Sequence, residues 1–91
     1  MVGELSELIN KEDIPKYRIM NAPEDHYLEL KAKLENAMVL GNTFKSKAVI
    51  VFNTSNGPKR VETTVWNVTP DFIELKGGLH ISTHSLLEID F

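Results

Sequence analysis

Ninety-one residues leave room for one domain and not for two. With 42% hydrophobic and 25% charged residues, the chain has the balance of a folded domain with one modest core. It contains no cysteine, which excludes disulfides, thiol catalysis, thiolate zinc sites and iron–sulfur clusters from this chain.

The net charge of −3 is unevenly spread. Residues 1–43 carry −3 and residues 61–91 carry −4, whereas residues 44–60 hold Lys45, Lys47, Lys59 and Arg60 with no acid. A general polyanion binder is therefore not expected, although one hairpin is locally basic. The longest apolar run, Ala48 to Phe52, is five residues and far short of the ~20 needed to span a bilayer. Met1-Val2-Gly3-Glu4 offers neither a basic nor an apolar leader segment, so the expected location is cytoplasmic.

Residues 1–22 read as an irregular, partly flexible segment. Leu5, Leu8 and Ile9 have helical spacing, but Ile14-Pro15 interrupts it, so a frayed turn is expected, dispensable to the rest of the fold. Residues 23–40 predict an amphipathic helix. Tyr27, Leu30, Leu34, Ala37, Met38 and Gly41 form one apolar stripe, Pro23 suits the first turn, and Gly41-Asn42 reads as the stop. Glu24 and Asp25 favour the positive end of the helix dipole, and Glu29–Lys33 is a well-ordered i,i+4 pair.

Beyond Phe44 the pattern becomes that of strands, at about residues 46–52, 60–68, 72–76, 79–83 and 87–91. The turn signal Asn53-Thr54-Ser55-Asn56-Gly57-Pro58 separates the first two. The second is long enough to bend and be shared between two sheets. Gly77-Gly78 reads as a two-residue hairpin loop, His84-Ser85-Leu86 as one tight helical turn, and Leu87, Ile89 and Phe91 as one face of the last strand. Five short strands left as an open sheet would expose an apolar face, so closure is expected. The fold class is mainly β (α+β): a five-stranded antiparallel small barrel preceded by one amphipathic helix, as a single domain over 23–91.

This layout resembles the SH3-like and Sm-like small barrels, chiefly through Leu75-Lys76-Gly77-Gly78-Leu79-His80-Ile81 and Leu86-Leu87-Glu88-Ile89. Within that group it is most similar to the bacterial Rho-binding antiterminators, through Asp25-His26-Tyr27-Leu28-Glu29-Leu30 and the strand order after it. The C-terminal block equally resembles small bacterial proteins with no assigned role. The antiterminator resemblance implies that an acidic helical region engages the RNA-binding surface of a transcription terminator, and it assigns that role to Asp25 and Glu29. Lys31, Lys33 and the longer N-terminal extension depart from the pattern.

Catalytic and metal chemistry find little support. His80 and His84 are four apart, but on a strand and a turn, so they are expected to diverge, and a site would need His26 or Asp90 as well. The Ser82-Thr83-His84-Ser85 cluster lacks a nucleophile turn, and Gly77-Gly78 joins two strands instead of opening a phosphate-binding helix. No enzyme activity, cofactor or metal is expected. The expected function is that of a small binding module engaging a protein partner, with Asp25 and Glu29 as partner-binding residues. One alternative is RNA binding through Lys45, Lys47, Lys59, Arg60 and Trp66, where bases would stack on an exposed aromatic flanked by charge. Another is a homo-oligomer built through an edge strand.

Overall fold

Two β-sheets and one helix enclose the core in the computed structural model, which describes residues 6–91. The strands are β1 (Glu7–Leu8), β2 (Ala48–Thr54), β3 (Gly57–Thr63), β4 (Val65–Val68), β5 (Phe72–Leu75), β6 (His80–Ser82) and β7 (Leu86–Asp90). They form a four-stranded sheet in the order β1-β3-β2-β7 and a three-stranded sheet in the order β4-β5-β6. The mixed α+β class is thus observed. The expected closed five-stranded barrel is not: the described residues contain seven strands in two separate sheets, and β1 precedes the helix.

The break falls inside the expected 60–68 strand. β3 ends at Thr63, and through Thr64 the chain passes into the second sheet as β4. The Thr64 carbonyl turns aside to accept from the Lys76 N–H (3.0 Å), so the bend is tied to the β5–β6 turn. That turn is wider than the expected two-residue loop. It spans Lys76-Gly77-Gly78, closed by Leu75 N–H to Leu79 O (2.7 Å), with both glycines at positive φ. The β2–β3 hairpin is tighter than its sequence signal. Thr54 pairs with Gly57, and the Thr54 hydroxyl donates to Gly57 O (2.7 Å) and accepts from Asn56 N–H (3.1 Å).

The helix α1 spans Tyr27–Phe44, not 23–40. It starts late because the Asp25 carboxylate accepts from the Tyr27 N–H (2.9 Å), satisfying a first-turn donor from outside. It runs past Gly41 because that glycine is a packing residue and not a stop. A Cβ there would lie 2.5 Å from Val65 O and 2.9 Å from Thr64 Cγ2, so the missing side chain lets α1 approach β4 closely. The helix ends instead at Lys45, in the left-handed conformation (φ 56, ψ 31). Leu30, Leu34, Ala37 and Gly41 of the stripe are buried, and Tyr27 and Met38 pack against the core edge. The facing side chains come from both sheets, with Ile50, Phe52, Val65, Ile73, Leu75, Ile81, Leu86 and Ile89 fully enclosed.

Residues 6–22 are built into this arrangement. Instead of a helical turn, Leu8 lies in β1, parallel to β3, and Ile9 N–H donates to Arg60 O (2.8 Å). Leu5 lies outside the described residues. A 3-10 turn over Lys11–Lys16 buries Ile14 beside Ile9 in the core. Ile19 bridges Thr54, Met20 N–H donates to Asn53 O (3.0 Å), and Ala22 N–H donates to His84 O (2.8 Å). The last strand also departs from its expected face. A bulge against β2 leaves Leu87 unpaired, so Leu86 points inward in its place while Ile89 keeps its expected face, and Phe91, past the strand's end at Asp90, stays 53% exposed.

Candidate functional site

The acidic corner at the start of α1 is assembled from three parts of the chain. Asp25 precedes the helix, Glu29 lies one turn into it, and His84 sits in the 3-10 turn Thr83–Ser85 between β6 and β7. Asp25 Oδ2 meets His84 Nδ1 at 2.8 Å while its Oδ1 accepts the Tyr27 N–H. The Tyr27 N–H, and then the His84 ring, hold the Asp25 carboxyl below the usual carboxylate range. Glu29 Oε2 lies 3.4 Å from His26 Nδ1. Each expected partner-binding carboxylate is thus beside an imidazole, and Asp25 is fixed in orientation by two contacts.

Between them lies Leu28, 84% exposed, the most exposed of the large apolar side chains among the described residues. In the sequence Leu28 stands out only as part of the Asp25-His26-Tyr27-Leu28-Glu29-Leu30 run. Its signal was its absence from the Tyr27-Leu30-Leu34 stripe: an apolar residue with strong helical context and no inward position.

The basic residues do not form one patch. The register pairs Phe52 with Lys59 and Val51 with Arg60, whereas Lys47 directly precedes Ala48, which pairs with Thr63 at the other end of the ribbon. Lys59 is largely withdrawn from solvent. It is 8% exposed, its Nζ lies 3.5 Å from Glu7 Oε1 and 5.2 Å from the centroid of the Tyr17 ring. Arg60 is half-buried beside β1, and Lys45 is exposed at the helix end. Trp66 is the bulged residue of β4 against β5, half-buried, with its carbonyl accepting from the Asn42 amide (3.1 Å). The sequence expectation of a basic surface flanking an exposed aromatic therefore loses Lys59, a buried structural cation.

The histidines do separate. His80 stacks on Phe72 (centroids 4.2 Å apart, planes 15° apart), while His84 faces Asp25. Among the described residues no three His, Asp or Glu side chains converge as a metal site. The hydroxyls near His84 are occupied in the turn. Ser82 Oγ accepts the His84 N–H (3.2 Å), Ser85 Oγ donates to Ser82 O (2.7 Å), and Thr83 Oγ1 donates to Pro70 O (2.6 Å). The outer strands are β1 and β7 in one sheet and β4 and β6 in the other. No described helix is long and apolar enough to cross a membrane.

Comparison of the chain with protein-family models, with curated proteins and with solved structures finds no match.

Proposed function

We propose that this chain is a non-enzymatic binding module that engages a protein partner through the N-terminal corner of α1. The observation that carries the reading is Leu28, an almost fully exposed leucine that stands in the chain between the carboxylates Asp25 and Glu29 at the helix start. An apolar anchor within a charged rim is the common arrangement of a binding hot spot, since the anchor is desolvated and the rim selects the partner. The partner's matching surface is an apolar pocket bordered by lysine or arginine.

The resemblance to Rho-binding antiterminators points the same way, because in that family an acidic helical region engages the RNA-binding surface of a transcription terminator. The SH3-like reading of the fold draws support from the strand order, with one chain segment bending from sheet to sheet at Thr64 and a 3-10 turn before the last strand. The RNA-binding and self-assembly readings remain as outcomes of the test.

The experiment is capture by the tagged full-length chain from native lysate, with and without nuclease. Protein retention that survives nuclease and falls at least tenfold for Leu28→Ala and for Glu29→Lys supports the reading. Retention that disappears with nuclease, or that both variants keep in full, overturns it.

A further inference from the structure

Away from α1, a groove of about 360 Å³ lies where β3 bends into β4, within the size range of small-molecule sites. Three lysines reach it from separate parts of the chain: Lys11 from the N-terminal 3-10 turn, Lys47 from the approach to β2, and Lys76 from the β5–β6 turn. Lys11 extends far enough that its Nζ lies 3.9 Å from where a Cβ on Gly77 would stand, next to Lys76 in the chain. None of the three makes an ion pair with a described residue, even though Glu12 and Glu62 line the same groove.

The groove wall also contains Thr63. This residue is only 3% exposed, yet its hydroxyl has no hydrogen-bond partner in the protein. No buried side-chain polar atom among the described residues lacks a partner, so this hydroxyl keeps access to the water of the groove and is open to donate to a ligand there. The three lysines, unpaired with any described carboxylate, add positive potential around the groove.

We propose that this groove binds a small organic phosphate. The three ammonium groups and the Thr63 hydroxyl supply four donors, matching a phosphate dianion with three terminal oxygens better than a carboxylate with two. Glu12 and Glu62 are acceptors for hydroxyl or amino groups on the organic part, which distinguishes a phosphate ester from inorganic phosphate. The groove shares none of the residues assigned to the protein partner, so the two proposals fail independently.

The test is an amide-resolved NMR titration of the full-length chain with a nucleoside 5′-monophosphate, the parent nucleoside and inorganic phosphate. Saturable shifts at Lys11, Lys47, Thr63 and Lys76 are expected with the monophosphate, weaker ones with inorganic phosphate, and none with the nucleoside. The signal of Leu28 is expected to stay still. Lys47→Gln with Lys76→Gln weakens the monophosphate at least tenfold, and Thr63→Val weakens it severalfold with an unchanged spectrum elsewhere. Non-saturating shifts, equal response to the nucleoside, or unchanged affinity in the lysine double variant overturns the proposal. Should Thr63→Val perturb the fold, Lys11→Gln, a surface change, replaces it and is expected to weaken binding at least threefold.

Discussion

Asp25 ties the start of α1 to the 3-10 turn before β7, accepting from the Tyr27 backbone and contacting His84. Because its carboxyl titrates below the usual value of 3.8 in the folded state, its contribution is present above that value and is lost as pH falls through the lowered one. Asp25→Asn keeps an acceptor and loses the charge. Its deficit against the parent chain is expected at about pH 5 and closes in more acidic solution, as read by denaturant melts across the acid range. Two backbone positions give opposite expectations. Gly41→Ala forces a Cβ into Val65 O and Thr64 Cγ2, lifting the helix from β4, and is expected to cost about 1–3 kcal/mol. Lys45 holds a left-handed conformation that glycine adopts without strain, so Lys45→Gly is expected to raise stability by about 0.5–1 kcal/mol, despite the more flexible unfolded chain. Thermal denaturation of the two variants side by side checks both signs.

At the scale of elements, the segment before α1 contributes to the core and is not an appendage. Ile9 and Ile14 lie in it, and Ile14→Ala is expected to cost about 2–5 kcal/mol, as is Leu34→Ala at the centre of the helix stripe. Removing residues 1–20 deletes both isoleucines together with β1, and a melt should show a loss larger than either single change. An unchanged melting temperature would contradict the role given to this segment. The same elements show what the sequence conveys. Leu30, Leu34 and Ala37 announced their burial by spacing alone, because a helix repeats its inward positions whatever it packs against. The pairing of Leu8 with β3 is a contact across some fifty residues and leaves no local periodicity. The extra residue Leu87 in β7 moves the inward position from Leu87 to Leu86, and a bulge is decided by the partner strand. Gly41 carried the right residue with the wrong reason, since a glycine that ends a helix and one that admits a neighbouring strand look alike in sequence. Of the candidate site, Asp25 and Glu29 were legible as exposed acids, but their histidine contacts depend on how the chain folds back.

Across the whole molecule, the acidic helix corner and the lysine-lined groove are separate regions of the surface. The corner of α1 offers Leu28 between carboxylates, the groove at the β3–β4 bend offers three lysines, and Lys59 is held inside by Glu7 and Tyr17. Conversion of Lys59 to Ala would leave Glu7 and the Tyr17 ring without their cation, so its expected effect is on stability and not on binding. The central claim, that the helix corner is a protein-docking surface, is tested most directly by photocrosslinking in native lysate. The photoreactive residue p-benzoylphenylalanine would replace Leu28, with a control replacing Val39, which is exposed on the same helix. The account predicts a discrete, protease-sensitive and nuclease-resistant crosslinked species from position 28 and none from position 39. No species from position 28, or one that nuclease removes, would contradict it.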